Sequence, residues 1–280
     1  MEVKLIALDL DGTLLLPNKT ISDKNKISLM KAAQEKGIYI TLATGRPYSA
    51  VKKVLEWLPC IRYAVLSNGA VVQDTRTGEK IAEHLVKTKD ALAFYDYAVS
   101  HDLIVDFFDQ GERIVSSKWK TYIEKMDISE GAKQLLLSNC MPVEDQRGYL
   151  QSLSGVEKIS MRCQNEEVKN QYCGKIETLF SDLKICSSLE TNVEATCKGV
   201  TKASGLQELL SHLKIGKDSV MAFGDSGNDY EMLEMAGLGV AMGNADPEIK
   251  EIADQITKSN TEDGVDYMVR EVLGWQQELL

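Results

Sequence analysis

The chain has 280 residues, 44% of them hydrophobic and 26% charged, a composition typical of soluble globular proteins with one large or two ordinary domains. Acidic residues outnumber basic ones by 42 to 32, so the net charge is −10. This excess argues against DNA or RNA as the main partner, because contacts with nucleic-acid phosphates need clustered lysine and arginine. A small phosphate ester held by one or two local cations is compatible with it.

The cysteines and the start of the chain bear on the compartment. Six cysteines are scattered with no pair at CxxC spacing, and there are three histidines, so we expect neither a structural zinc site nor a disulfide framework. The chain begins with a strand pattern instead of a signal peptide, and no apolar run reaches about 18 residues. We therefore expect a cytoplasmic protein without a membrane partner.

The first third of the chain alternates between strand and helix patterns. Periodicity predicts strands at 3–8, 38–43 and 63–66 and helices at 22–36 and 51–58. Ser22 is a suitable N-cap for the first helix, and Gly37 is a suitable stop. Strands and helices in this alternation predict right-handed crossovers and a parallel sheet covered by helices on both faces.

The pattern changes near residue 71 and later resumes. Two short segments at 71–73 and 79–81 resemble a hairpin, and 84–189 mix short strands and helices irregularly, which predicts an inserted α+β module. Further elements of the α/β type are predicted at 206–213, 219–223, 231–236, 239–242 and 265–273. The predicted domains are therefore 1–83 (first half of the core), 84–189 (inserted cap) and 190–280 (second half of the core).

Five predicted strands end in small polar groups, carboxylates and glycines. In chain order these ends are Asp9 with Asp11, Thr44-Gly45-Arg46-Pro47, Ser67-Asn68-Gly69, Gly224-Asp225-Ser226-Gly227-Asn228-Asp229, and Gly243-Asn244. Ligands of open parallel sheets bind outside the carboxyl ends of the strands. One Asp-x-Asp pair is a weak signal, but five strand ends of this kind together predict an active site.

The residue types at these ends indicate phosphate chemistry. Asp9, Asp11, Asp225 and Asp229 would place up to four carboxylates around one point, and oxygen ligands without histidine or cysteine suit a hard cation such as Mg²⁺. A carboxylate held there can attack phosphorus and form an aspartyl-phosphate, while a second carboxyl transfers the proton. The hydroxyls of Thr44 or Ser67 could bind phosphoryl oxygens, and a lysine could offset their charge.

Four ordered segments resemble the motifs of the haloacid dehalogenase-like (HAD) phosphatases. They are Asp9-Leu10-Asp11-Gly12-Thr13-Leu14, Ala43-Thr44-Gly45-Arg46-Pro47, Cys197-Lys198-Gly199 and Gly224-Asp225-Ser226-Gly227-Asn228-Asp229. Ser67-Asn68-Gly69-Ala70 and Gly243-Asn244-Ala245 are also similar to the Cof-type subgroup, whose cap lies between the second and third motifs. The resemblance implies an α/β fold with a Rossmann-like, HAD-like parallel core and an inserted α+β cap domain.

The resemblance also implies roles for individual residues. Asp9 would be the nucleophile and a Mg²⁺ ligand, and Asp11 the general acid/base, contacting the metal through its backbone carbonyl. Asp225 would be a further metal ligand, and Asp229 would complete or orient the metal shell. The remaining predicted roles are phosphoryl binding by Thr44 and Lys198 and substrate contacts from Gly45, Arg46, Ser67, Asn68, Asn228 and Asn244. From the residues alone, Thr44 could instead be a satisfied turn hydroxyl, Lys198 a surface lysine and Arg46 part of a structural ion pair.

The predicted function is Mg²⁺-dependent hydrolysis of small phosphomonoesters, sugar phosphates or related phosphorylated metabolites, through an aspartyl-phosphate. One alternative is a sugar-phosphate mutase or other phosphotransferase with the same core, and another is a catalytically silent binding protein of this fold. Asp11 argues against a dehalogenase, which needs no acid/base two residues after its nucleophile. The sequence leaves open the physiological substrate, the cap residues that select it and the oligomeric state.

Overall fold

The computed structural model describes residues 2–126, 128, 130–138, 140–187 and 191–275. The strands in chain order are β1 (Leu5–Leu8), β2 (Tyr39–Ala43), β3 (Ile61–Leu66), β4 (Val71–Asp74), β5 (Lys80–Glu83), β6 (Val86–Lys87), β7 (Ile104–Asp109), β8 (Glu112–Ser116), β9 (Cys140–Val143), β10 (Gly155–Val156), β11 (Lys158–Arg162), β12 (Leu183–Cys186), β13 (Asn192–Cys197), β14 (Val220–Gly224), β15 (Leu238–Ala241) and β16 (Gln255–Ile256).

The helices in chain order are α1 (Asp23–Lys36), α2 (Lys52–Trp57), α3 (Thr88–Ser100), α4 (Trp119–Lys125), α5 (Glu130–Leu137), α6 (Gln146–Ser152), α7 (Glu166–Leu179), α8 (Lys202–Leu213), α9 (Tyr230–Met235), α10 (Pro247–Ile252) and α11 (Gly264–Leu273). Short 3₁₀ helices cover Tyr48–Ala50, Ser67–Gly69, Lys217–Ser219, Gly227–Asp229 and Asn260–Glu262. Within the described ranges, no helix has the length and apolar character needed to cross a bilayer.

The chain divides into two compact units. The first consists of Met1–Thr44, Lys52–Ala82 and Lys202–Leu280, and the second of Gly45–Val51 and Glu83–Thr201. The sequence pattern predicts the second division after residue 189. The structure places it after Thr201, because β13 pairs with β11 and β12 in the sheet of the second unit. Residues 191–201, predicted to be core, therefore belong to the second unit.

The first unit is built on a sheet with the strand order β16-β15-β14-β1-β2-β3-β4-β5. Neighbouring strands from β16 to β3 are parallel, and β4 is antiparallel to β3. The central strands β1 and β14 are buried along their whole length, as expected for a parallel sheet. The predicted α/β fold with a parallel Rossmann-like core is confirmed.

The first helix illustrates how local sequence sets the element boundaries. The Ser22 side chain accepts a hydrogen bond of 3.2 Å from the backbone N–H of Asn25 and caps the start of α1. Gly37 ends the helix with a left-handed φ of 65°, which glycine adopts without steric cost. The prediction of a helix between these two residues is confirmed.

The order of the parallel strands positions the candidate site. β1 lies between β14 and β2, with Leu8 opposite Phe223 on one side and opposite Leu42 on the other. Because the three strands run in the same direction and in this register, their following loops leave the sheet at the same edge. The sequence places Asp9, Thr44 and Asp225 in those loops.

The second unit contains a six-stranded sheet with the order β12-β13-β11-β7-β8-β9 and a two-stranded ribbon of β6 and β10. One face of this sheet carries apolar residues of the unit's main core, which include Phe107, Ile114, Ile159, Met161 and Val193, and Phe94 of α3 belongs to the same core. Alternate positions carry polar groups: buried Asp106 accepts two hydrogen bonds of 3.1 Å from the Arg162 guanidinium and one from the Ser160 hydroxyl. The predicted α+β character of the insertion is confirmed.

Candidate active site

Three carboxylates gather at the edge of the first unit's sheet. Asp9 follows β1, Asp225 follows β14, and Asp229 ends the 3₁₀ helix Gly227–Asp229. One carboxylate oxygen of each lies within 4.8 Å of the others. Asp229 is fully buried and Asp9 is 5% exposed. The structure therefore brings together three of the four predicted acidic residues.

A lysine absent from the predicted site lies between two of these carboxylates. The Lys202 ammonium lies 2.6 Å from Asp9 Oδ1 and 2.7 Å from Asp229 Oδ1, and its side chain is 1% exposed. Lys202 is the first residue of α8, and Leu206, Leu209 and Leu210 of the same helix are also buried. Lys202 thus provides the ammonium beside Asp9, and phosphoryl binding by Lys198 remains a prediction.

The close approach of these charges shifts their pKa values. Burial, with further contributions from Asp229 and Asp225, raises the pKa of Asp9 well above its usual value, although Lys202 opposes the shift. Burial and the neighbouring Asp229 raise the pKa of Asp225 to about 7. Burial alone would lower the pKa of Lys202, but Asp229 and Asp9 outweigh it and raise that pKa. Burial and the neighbouring carboxylates thus outweigh the opposing effect of Lys202 on the pKa values of Asp9 and Asp225.

The hydrogen bonds divide the carboxylates into two kinds. Asp229 is engaged on both oxygens, because Oδ1 binds Lys202 while Oδ2 accepts from the backbone N–H groups of Asp225 and Ser226 at 3.0 and 3.2 Å. Asp225 receives one bond of 2.9 Å from the Thr13 hydroxyl on Oδ1. Both oxygens of Asp229 are thus engaged within the protein, whereas Oδ2 of Asp9 and Oδ2 of Asp225 accept no hydrogen bond from the described residues and are available to a ligand.

The donor set fits a divalent metal. Carboxylate oxygens without histidine or cysteine are the ligands that hard cations prefer. Burial, followed by the neighbouring carboxylates, raises the pKa values of Asp9 and Asp225, and a bound cation would favour their ionised forms. Asp9 and Asp225 are the residues best placed to hold such an ion, with Asp229 fixing the loop that carries Asp225.

Asp11 is not a member of this group of carboxylates. Its side chain is 34% exposed and binds the Lys19 ammonium, with 2.7 Å between Oδ1 and Nζ. A metal contact through its backbone carbonyl remains a prediction. Thr13, two residues on, was not selected from the sequence, yet its hydroxyl orients Asp225.

The polar residues after β2 and β3 form a second, buried group. The Thr44 carbonyl accepts a bond of 3.0 Å from the Asn68 N–H, and Asn68 Oδ1 accepts a bond of 3.1 Å from the Asn228 side chain. Ser67 and Asn68 both have left-handed φ angles, 51° and 58°, which non-glycine residues adopt at an energetic cost. The structure thus links Thr44, Asn68 and Asn228, and their predicted contacts with substrate remain predictions.

The other predicted residues make different contacts. Arg46 Nη1 donates to the Ala50 carbonyl at 3.3 Å, and the Gly45 carbonyl accepts a bond of 2.8 Å from the Lys158 ammonium. Lys198 is exposed in the turn after β13. These residues belong to the second unit. Asn244, which was predicted to contact substrate, donates through Nδ2 to the Gly12 carbonyl at 2.8 Å.

A signal for Lys202 was present in the sequence. Lys202 lies four residues before Leu206, so a helical period places it on the same face as the predicted leucine stripe. A lysine on an apolar helix face is buried only when it is paired. Lys202 lies on this face of α8, whereas Lys198 precedes the helix.

Comparison with known proteins matches nearly the whole chain. A family model described as haloacid dehalogenase-like hydrolase matches residues 6–269. Among curated proteins, the chain is 28% identical over 270 residues to the Bacillus subtilis protein named 5-amino-6-(5-phospho-D-ribitylamino)uracil phosphatase YcsE, with 96% of each chain covered.

Solved structures resemble the chain over the same extent. A haloacid dehalogenase-like hydrolase from Bacteroides thetaiotaomicron has a TM-score of 0.82 at 28% identity, covering 97% of this chain and 100% of that one. The HAD subclass IIB sugar phosphatase BT4131 has a TM-score of 0.83 at 25% identity, covering 97% of this chain and 99% of that one.

Proposed function

The chain belongs to the haloacid dehalogenase-like hydrolases, and on that premise we propose that it is a Mg²⁺-dependent phosphatase that hydrolyses small phosphomonoesters through an aspartyl-phosphate on Asp9. The predicted family, including its Cof-type subgroup, and the predicted class of HAD-type phosphatase acting on phosphoric monoesters are confirmed. The metal, the intermediate and the substrates belong to the proposal.

The contact between Asp9 and Lys202 carries the proposal. A nucleophilic carboxylate has to be ionised in a buried site, and Lys202, 2.6 Å from Asp9, opposes the rise in the Asp9 pKa that burial causes. Because Asp229 binds the same ammonium at 2.7 Å, Lys202 is held in place without the substrate. Asp9 and Asp225 would hold Mg²⁺, which when bound would add positive charge beside the transferring phosphoryl group.

The proposed reaction has two steps. In the first, an Asp9 oxygen attacks phosphorus, the ester P–O bond breaks, and Asp11 gives its proton to the leaving oxygen. In the second, Asp11 removes a proton from water, whose oxygen attacks the same phosphorus and returns Asp9 as a carboxylate. Lys202 and Thr44 would bind the phosphoryl oxygens in both steps. Lys202 here takes the role that the sequence analysis gave to Lys198.

The names of the relatives support a polyhydroxylated substrate. One relative is named a phosphatase of a phosphoribitylamino-uracil and another a sugar phosphatase. We therefore propose sugar phosphates or related phosphorylated metabolites as the substrate class. None of the six cysteines, all of which lie in the described residues, forms a disulfide, which supports the cytoplasm as the proposed compartment.

Release of inorganic phosphate tests the proposed function. Wild type, Asp9→Asn and the control Asp23→Asn are assayed with p-nitrophenyl phosphate and a panel of sugar and polyol phosphates, with Mg²⁺ or with EDTA. Asp23 is a matched control because it is a carboxylate in the first turn of α1 whose side chain is 87% exposed. We expect Mg²⁺-dependent release, a loss of at least about 1,000-fold in Asp9→Asn and an unchanged rate in Asp23→Asn.

Other outcomes would point to the alternatives. Full activity in Asp9→Asn would refute the assignment of the nucleophile. Transfer of phosphate to a second sugar hydroxyl, without release into water, would favour a mutase or phosphotransferase. Absence of wild-type activity across the whole panel would favour a catalytically silent binding protein.

A further inference from the structure

Two asparagines from distant parts of the sequence bind the segment that follows Asp11. Asn244 Nδ2 donates to the Gly12 carbonyl at 2.8 Å, and Asn260 Nδ2 donates to the Leu15 carbonyl at 2.7 Å. The bonds span 232 and 245 residues of sequence. Both asparagines follow strands of the same sheet, β15 and β16, in the first unit.

The two asparagines also bind each other. The backbone N–H of Asn260 donates to Asn244 Oδ1 at 2.9 Å, so Asn244 uses its amide both as donor and as acceptor. Asn260 begins a 3₁₀ helix that is fixed by a capping box between Ser259 and Glu262. The Asn260 side chain is nearly buried, with 9% exposure. The two asparagines are therefore held in place by their own hydrogen bond and by the capping box, in addition to their bonds with the segment after Asp11.

The bound segment is held together internally. A β-bridge joins Asp11 to Leu15, the Leu16 N–H donates to the Thr20 carbonyl at 2.9 Å, and the Lys19 N–H donates to the Leu16 carbonyl at 2.8 Å. The ion pair of Lys19 with Asp11 closes the same segment through its side chains. Because residues 11–20 are bonded to one another in this way, fixing the carbonyls of residues 12 and 15 fixes the place of the Asp11 carboxyl.

We propose that Asn244 and Asn260 are positioning residues that hold the acid/base Asp11 in place relative to the nucleophile Asp9. The inference rests on the proposed function, since it concerns the residue that transfers the proton in that reaction. It replaces the predicted substrate contact of Asn244 with a contact to the backbone of the enzyme. The role requires an amide, because a carboxylate of the same shape has no N–H to donate to a carbonyl.

Steady-state kinetics test this role. Asn260→Ala and the nearly isosteric Asn260→Asp are compared with wild type and with Thr257→Val, using p-nitrophenyl phosphate and Mg²⁺. Thr257 is a matched control because its buried hydroxyl donates to the Gly264 carbonyl at 2.7 Å in the same stretch of chain. We expect kcat to fall about 10- to 100-fold in both Asn260 variants while KM stays within threefold. The reason is that a misplaced general acid/base loses part of its contribution to the rate without changing how substrate binds. Thr257→Val should stay within twofold in both constants.

Asn244→Ala keeps the test available if the Asn260 variants fail to fold, because the Asn244 side chain is exposed. The same loss in kcat is expected of it. A rise in KM with unchanged kcat in these variants would overturn the inference and return Asn244 to a substrate contact. A kcat within twofold of wild type in these variants would also overturn the inference.

Hydrogen exchange gives a measurement that does not depend on activity. The amides of Leu16 and Lys19, bonded within the segment, should exchange at least about tenfold faster in Asn244→Ala than in wild type or Thr257→Val. Unchanged exchange would contradict the proposed anchoring. If the wild-type protein released no phosphate while the exchange result held, the proposed function would fail and the anchoring of the segment would stand.

Discussion

Replacement of Lys202 by methionine should abolish most of the activity, whereas replacement of Lys198 should not. Methionine keeps the length and apolar stem of lysine but removes its charge. In the structure the Lys202 ammonium is the positive group shared by Asp9 and Asp229, at 2.6 and 2.7 Å. Lys198 is exposed in a turn. Comparison of the two variants therefore shows whether activity depends on the lysine that contacts Asp9 or on the lysine that the motif predicts.

The expected size of the effect follows from burial. The Lys202, Asp9 and Asp229 side chains are 1%, 7% and 0% exposed, so removal of the ammonium leaves two carboxylates without compensation. Loss of one partner from a buried ion pair costs about 3–5 kcal/mol. Loss of a preorganised group that stabilises developing charge lowers kcat by about 100- to 1,000-fold. The pKa of Asp9 should also rise further, because Lys202 opposes the effect of burial.

The assay is Mg²⁺-dependent phosphate release by Lys202→Met, Lys198→Met and wild type, with thermal melting of each. Lys202→Arg serves as a second variant that keeps the charge if Lys202→Met fails to fold. We expect a loss in kcat of at least about 100-fold for Lys202→Met and less than about threefold for Lys198→Met. The reverse order, with Lys198→Met inactive and Lys202→Met active, would refute the assignment of Lys202.

Other substitutions test the packing and electrostatics around the site. Gly205→Ala should lower the free energy of unfolding by about 1–3 kcal/mol in a denaturant titration. The added methyl would lie 2.6 Å from Val65 Cγ1 and force α8 to shift. An unchanged midpoint would contradict this prediction. Because the pKa of Asp225 is raised to about 7, the folded protein binds its proton more tightly than the unfolded chain does. Without divalent cations the melting temperature should therefore fall as pH rises from about 4 to about 7, and the fall should be smaller in Asp225→Asn. Parallel curves of melting temperature against pH for wild type and Asp225→Asn would contradict this prediction. In the second unit, Asp106→Asn should lower the free energy of unfolding in urea by about 3–5 kcal/mol, because the buried Arg162 guanidinium loses its carboxylate partner. A decrease below about 1 kcal/mol would contradict this prediction.

The carboxylate cluster was predictable because the chemistry lies at strand ends. Asp9 and Asp225 directly follow apolar runs, and the alternation of strands with helices is enough to predict a parallel sheet whose carboxyl ends meet at one edge. The structure confirms the adjacency of β1 and β14 on which that prediction depends. Sequence spacing alone did not reveal that both oxygens of Asp229 are engaged inside the protein.

The lysine was harder to predict because two candidates stand four residues apart. Lys198 is followed by glycine and matches the motif in appearance, but it lies in a turn before the helix. Lys202 lies on the buried face of α8, and only the packing of that helix brings its ammonium to Asp9. The helical period predicts the face of a residue, whereas the partner it meets depends on tertiary packing.

The end of the insertion and the role of Asn244 depend on pairing that no local pattern shows. β13 has the alternation of an ordinary strand, and its membership of the second sheet is set by its partners β11 and β12. Asn244 follows a strand of the first sheet, as a substrate contact would, yet it binds a carbonyl more than 200 residues away in sequence. Contacts of such long range are decided by the whole fold.

The most direct test of the account is the detection of phosphate on Asp9. Wild type and Asp9→Asn are mixed with a ³²P-labelled substrate and Mg²⁺, quenched in acid within one turnover, and digested for peptide mapping. We expect a hydroxylamine-labile label on the peptide that contains Asp9, and none in Asp9→Asn. Label on another residue, or wild-type turnover without any labelled peptide, would contradict it.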